Sequence, residues 1–192
     1  MNIAAKWDER YAQAQALTAP APVLRDNVHL LPETGSALDL AAGISGNSLV
    51  LAHQGLDTSV WDCSATALAL QQREALAAGL TVATEQRDCE LRPPEPGTFD
   101  VICVCHFLYR SGCQALVDAL KPGGVLFYQT FTREKLSAGG PSSADFLLES
   151  GELLSLFSGL TLHYYREDAG CGRLQEGDRN TARFIGSKPH AK

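Results

Sequence analysis

LDLAAGISGNSLVLA, residues 38–52, decides how the rest of the chain is read. An apolar segment carrying Asp39 runs into small residues, and an amphipathic pattern opens at Gly46. In an α/β sheet a strand, a tight turn and a helix in that order form a ligand loop, because the turn lies beyond the strand's carboxyl end. Outward from this loop the chain repeats the theme. TSVWD (58–62) reads as a second strand, followed by a helix over 64–79 with Ser64 as N-cap and Gly79 as its stop. LTVAT (80–84) reads as a third strand, then RDCELRPPEPG as a proline-rich loop. FDVICVCHF (99–107) is nearly all apolar, as a central strand covered on both faces should be. A helix ending in Pro-Gly-Gly and a fifth strand, VLFYQTFT (125–132), follow.

Alternating strands and helices predict a Rossmann-like, doubly wound α/β fold. LTLHYYRED and RNTARFIGSK near the end add a hairpin, for a mostly parallel seven-stranded sheet with an antiparallel C-terminal strand. Ahead of the sheet, an Ala/Gln-rich amphipathic helix over 4–17 is expected to stop at Pro20 and Pro22. No repeat or linker divides the 192 residues, so one domain is expected. Within it, 1–22 form an N-terminal lid segment, 36–135 a cofactor-binding core, and 136–192 a substrate-side loop and hairpin.

The loop fits two registers. As GxGxxG, positions 41, 43 and 46 hold Ala, Gly and Gly, a weakened dinucleotide fingerprint. As DxGxGxG, positions 39, 41, 43 and 45 hold Asp, Ala, Gly and Ser, a weakened S-adenosylmethionine (SAM) loop. The carboxylate discriminates between them. A dinucleotide brings a pyrophosphate to this turn, and Asp39 repels it. SAM carries a sulfonium and an ammonium group, which a nearby carboxylate favours. The plainer role for Asp39 is a turn cap. Asp62 ends the second strand, where a carboxylate accepts from both ribose hydroxyls of either cofactor, or serves the dipole of the next helix. Asp88 and Cys89, beyond the third strand, lie where an adenine amine would be met.

The balance of 16 Lys+Arg against 22 Asp+Glu, net −6, argues against nucleic acid and anionic membranes as partners. The N-terminal stretch lacks a signal-peptide core, and no run approaches a membrane span. Six cysteines with no CxxC pair read as reduced thiols in a cytoplasmic protein. Cys103, Cys105 and His106 raise a metal site, but no second cluster completes a tetrahedral set, so no metal is expected.

On these residues the chain resembles class I SAM-dependent methyltransferases, and more narrowly the small bacterial branch with the tellurite-resistance methyltransferases. LDLAAGISGNSLVLAHQGLDTSVWDCSATAL is similar to that family's first two motifs, and WDERY (7–11) to the segment that closes over its cofactor. FDVICVCHFLYR and KPGGVLFYQTFT resemble its fourth- and fifth-strand motifs. The resemblance implies that Asp39, Ala41 and Gly43 line the methionine portion of SAM, Asp62 and Cys63 the ribose side, and Asp88 and Cys89 the adenine. It puts Cys105 and His106 near the donor methyl and Tyr11 in the lid. Ala41 and Ser45 depart from the family's glycines; where φ > 0 is needed, a Cβ costs about 1 kcal/mol and weakens the cofactor site.

Methyl transfer from a sulfonium is an in-line displacement, helped mainly by positioning. A soft acceptor needs no base. For an oxygen or nitrogen acceptor, His106 is the histidine placed to act as one. Tyr109, Arg110 and Arg133 offer charge-assisted bonds to an anionic acceptor, or are solvated. With no inserted substrate domain, a small-molecule acceptor is expected. Two other readings compete: a nicotinamide-dependent oxidoreductase using the GxGxxG register, and a non-catalytic SAM-binding protein with a degenerate loop.

Overall fold

The computed structural model describes residues 2–190. Seven strands form one sheet: β1 (Ser36–Leu40), β2 (Asp57–Asp62), β3 (Ala83–Gln86), β4 (Phe99–Cys105), β5 (Leu120–Phe131), β6 (Thr161–Glu167) and β7 (Thr181–Ser187). Their order is β3-β2-β1-β4-β5-β7-β6. The first five run parallel, and β7 runs antiparallel to both its neighbours, β5 and β6. The C-terminal hairpin therefore enters the sheet by its second strand, which leaves β6 at the edge.

Six helices accompany the sheet: α1 (Ile3–Tyr11), α2 (Pro22–Arg25), α3 (Asn47–His53), α4 (Ala65–Ala77), α5 (Cys113–Ala119) and α6 (Glu152–Leu156). Strand side chains alternate between two cores, as a pleat requires. Leu38, Leu40, Ile102, Val104 and Tyr128 pack with Leu116 of α5 and Leu153 of α6. Ala37, Val101, Cys103 and Phe127 pack on the other face with Val23 and Leu24 of α2 and Leu51 of α3. Helices thus cover both faces, and β4 is buried from Val101 to Cys105.

Three expectations change. The N-terminal helix ends at Tyr11 instead of running to Leu17. Tertiary contacts pull the chain away: the Gln15 carbonyl accepts from Arg73, and Thr18 pairs with Ser45 of the ligand loop. Pro22 does not stop a helix but starts one, at the N1 position of α2, where its missing N–H costs nothing. The third strand also lies later, at 83–86, in register with Ser59–Asp62.

Candidate functional site

The strand order reverses between β1 and β4, and a crevice opens there beyond the strands' carboxyl ends. Asp39 sits one residue from the end of β1, 0% exposed, and neither of its oxygens has a hydrogen-bond partner. Burial and the nearby Asp62 push its carboxyl up to about 8, while the Asn47 side chain and the Ser48 N–H lie alongside and pull the other way. A buried carboxyl without a partner stays protonated unless a cation joins it.

The turn after β1 carries Ala41 at φ 53° and Gly43 at φ 52°. A Cβ on Gly43 would lie 2.8 Å from the Tyr11 hydroxyl, so the end of α1 rests on this turn. Ser45, the other absent glycine, has no positive φ; its hydroxyl accepts from the Asn47 N–H at 3.2 Å. Gly46 also requires a glycine, since a Cβ there would meet the Thr18 carbonyl at 2.9 Å.

Asp62 closes β2 and accepts the Gly43 N–H on Oδ2 and the Ser64 N–H on Oδ1, both at 2.8 Å. Each oxygen keeps a lone pair for a further donor such as a hydroxyl. Burial raises its pKa, and these backbone bonds lower it. Tyr11 is pushed up to about 12 by burial and then by Asp62, so its hydroxyl remains a donor. Cys63 and Cys89 are likewise pushed up to about 12, mainly by burial, and stay thiols. Asp88 lies beside them but spends Oδ1 on the N–H groups of Glu90 and Leu91, at 3.0 and 3.3 Å.

Across the crevice, Cys105 ends β4 with its sulfur 3.8 Å from that of Cys103. His106 follows at φ 59°, its N–H donated to the Gln129 carbonyl at 2.8 Å and its ring stacked on Phe131 at 4.9 Å. The ring keeps a solvent-open face, yet the atoms packed around it lower its pKa, with Asp178 opposing. His106 is therefore a neutral acceptor at pH 7.

The arginines are placed otherwise than an anion site requires. Arg110 grips Glu152 with two bonds, at 2.6 and 3.0 Å, and gives two more to the carbonyls of Asp145 and Leu147. Its guanidinium ties the loop before α6 to the end of β4. Arg133 pairs with Glu149. Tyr109 is half-buried, its ring packed over Gly112. It lines a recess with Leu40, Cys89, Phe107 and Tyr128.

Tyr11, Asp39, Ala41, Gly43, Asp62, Cys63 and Cys89 thus gather around one turn, with Asp88 at its margin. Several contributors escape a sequence reading. Gln71 donates to the carbonyls of Gly43 and Ser45 at 3.0 and 2.8 Å and accepts from Ser48 at 2.5 Å. A glutamine inside the buried stripe of α4, between Leu68 and Ala75, is the signal that marks it. Asp8 accepts from the Ser64 hydroxyl at 2.6 Å and the Thr66 N–H at 3.0 Å, which latches α1 to the start of α4. Asn47 accepts the Ala21 N–H at 2.8 Å, and Gln129 the Val23 N–H at 3.0 Å. These two bonds strap residues 18–23 across the same edge. No local pattern announces such long-range partners.

Residues 37–124 match the family described as "Methyltransferase domain", a little under half of the chain. A search of curated proteins by sequence finds no match. Among solved structures the chain is similar to TehB from Haemophilus influenzae, with 19% identity and a TM-score of 0.74, over 95% of this chain and 67% of that one. It is similar to a SAM-dependent methyltransferase from Methanosarcina mazei, with 17% identity and TM-score 0.66, over 91% of this chain and 100% of that one. It is also similar to the [4+2]-cyclase SpnF, with 18% identity and TM-score 0.67, over 88% and 79%. At these identities the likeness is one of fold, and the last case shows that the fold houses more than one reaction.

Proposed function

We propose that this chain, whose residues 37–124 match a methyltransferase domain and whose fold is similar to that of a SAM-dependent methyltransferase, is a SAM-dependent transferase that methylates a small, uncharged acceptor. The observation that carries the reading is Asp39: a fully buried, unpartnered carboxyl beside the ligand turn, at the point where the sheet reverses. A pyrophosphate gains nothing there, whereas a cationic group removes an electrostatic penalty. This disfavours the nicotinamide alternative.

SAM, when bound, supplies an activated methyl group on a sulfonium. The chain's own residues do the rest. Asp39 faces the cationic methionine portion. Asp62, anchored by Gly43 and Ser64, turns its free lone pairs to the ribose hydroxyls. Cys63 and Cys89 lend apolar, protonated walls on the adenine side, with Asp88 at the rim. Tyr11 closes over the turn as part of a lid formed by residues 2–22. Cys105 backs the site, and His106, neutral and held against Phe131, takes the proton from an oxygen or nitrogen nucleophile. Positioning is the main contribution, since the leaving group is already activated.

The acceptor's charge follows from the arginines. Arg110 and Arg133 are held by Glu152 and Glu149. An anion would have to displace both acids, so Tyr109 and the exposed face of His106 are the contacts left for a neutral molecule. The net charge of −6 likewise disfavours nucleic acid. Among the described residues no helix is long and apolar enough to cross a membrane, and all six cysteines are free, which supports a cytoplasmic setting with reduced thiols.

Calorimetric titration with SAM and its demethylated product tests the reading, followed by turnover on paired neutral and anionic thiols and phenols. Binding of both ligands, loss of affinity in Asp62→Ala and preference for the neutral acceptors are expected. In His106→Gln, SAM affinity should hold while turnover of phenols drops by about 10²-fold or more. Absence of SAM binding overturns the proposal.

A further inference from the structure

Among the described residues, four buried side-chain atoms have no hydrogen-bond partner: both oxygens of Asp39, Nδ2 of Asn47 and Oγ1 of Thr132. Three of the four belong to neighbours that flank the ligand turn, Asp39 on β1 and Asn47 at the first position of α3. Both residues are 0% exposed. Unpaired buried polar atoms are rare, and two complementary ones side by side call for a function.

The orientation of the Asn47 amide is fixed by its other contact. Oδ1 accepts the Ala21 N–H at 2.8 Å, and a backbone N–H can only donate, so the NH₂ end is the one left over beside Asp39. Groups facing Asp39 come from every element around it. β2 presents Asp62, and β4 presents Cys103, its register neighbour, with the Cys105 thiol behind. α3 presents Asn47 and the Ser48 N–H, and the strap contributes only the Ala21 backbone. No cation is among these groups. An acid faced by an acid and two weakly donating thiols is held neutral, and the Asn47 amide is the strongest side-chain donor beside it when it ionises.

We propose that Asn47 is a positioning residue for the cofactor: it supplies the hydrogen bond that lets Asp39 carry charge opposite a cationic ligand, while its Oδ1 holds the strap at Ala21. This rests on the reading that Asp39 meets the cationic portion of SAM. In the sequence of events, arrival of the cation makes Asp39 release its proton to solvent. The carboxylate then accepts from Nδ2, and Ala21 stays pinned over the turn.

The test reads the Asp39 carboxyl directly, by its ¹³C shift across pH, with and without SAM. In the wild-type chain without cofactor Asp39 should titrate near 8 and be ionised at neutral pH once SAM is bound. In Asn47→Leu the cofactor-free midpoint should move up by about one pH unit or more and SAM affinity at pH 7 fall about tenfold. Asn47→Asp keeps the acceptor for Ala21 but replaces the donor with a second acid, so it should raise the midpoint even where Asn47→Leu fails to fold. In an Asp39→Asn background, Asn47→Leu should change SAM affinity far less than it does alone. An unmoved Asp39 titration in the folded Asn47 variants, or additive losses of affinity, overturns the proposal. Failure of SAM to bind the wild-type chain strikes the functional reading instead, and leaves the cofactor-free titration to judge the pair.

Discussion

Ala41 occupies φ 53°, a left-handed conformation that costs a residue with a Cβ roughly 1 kcal/mol. Ser45 bears no such strain and caps the Asn47 N–H instead. The two absent glycines are therefore unequal, although the motif alone treats them alike. Ala41→Gly should relieve that strain and, after the entropy of the added glycine is offset, stabilise the fold by about 0.5 kcal/mol at most, and tighten SAM binding several-fold. Thermal unfolding and calorimetry check both, and a destabilised variant would show that the Ala41 methyl packs usefully against the core. Asp39 sets the pH response at the same scale. Its folded pKa, about 8, lies above the ordinary 3.8, so the charged form is disfavoured in the folded state. The cofactor-free chain is accordingly least penalised by this residue at low pH and loses stability as pH rises from about 4 to about 8. Under the proposed role of Asp39, cofactor binding has the opposite slope, because the bound form needs the charge.

At the scale of elements, α1 has no buried residue and holds on through a few contacts. Trp7 stacks on Tyr11 at 5.5 Å, and Asp8 bonds to the start of α4. The hydrogen bonds from Ser64 and Thr66 hold the Asp8 carboxyl below its ordinary pKa. A helix held this lightly opens locally at little cost, as the proposed lid role requires. Asp8→Ala should speed amide exchange over residues 3–11 and raise the SAM dissociation rate several-fold, with the sheet's exchange unchanged. Equal exchange in both proteins would mean that the aromatic stack alone holds α1. Strand and helix order was legible in the sequence because burial on two faces leaves long apolar runs, as in 99–105, and because Ser64 and Gly79 punctuate α4. The early end of α1 at Tyr11 was not, since the contacts of Gln15 and Thr18 that end it come from α4 and the ligand turn. The same holds for Arg110, whose partner Glu152 lies on α6 and is invisible to local pattern.

Across the whole molecule, Arg183 on β7 joins the two ends of the chain. It is 7% exposed, bonds Asp178 at 2.7 Å and lies 3.6 Å from Asp26, the C-cap of α2. In sheet register it stands beside Gln129, which holds the strap through Val23. The C-terminal hairpin thus braces the N-terminal strap over the carboxyl edge of β5. Arg183→Met leaves Asp178 without its cation, while Asp26 keeps Arg25 at 2.7 Å, and should cost about 1–3 kcal/mol, between the worth of exposed and fully buried pairs. Exchange should rise over 18–26 more than in β1 or β4. A purely global loss, with no bias toward the strap, would show that the pair supports only the hairpin.

The sequence by itself determined the α/β class, the seven strands, the turn after β1 and the acids near the ends of β1 and β2, because hydrophobic periodicity and turn residues are local properties of the chain. Only the tertiary structure decided which of those acids stands unpartnered, which glycine substitution is strained, and which acids hold Arg110 and Arg133. Each of those depends on what the fold brings from far along the chain. A carboxyl such as Asp39 takes its charge state from neighbours on β2, β4 and α3, and no stretch of residues around it records them.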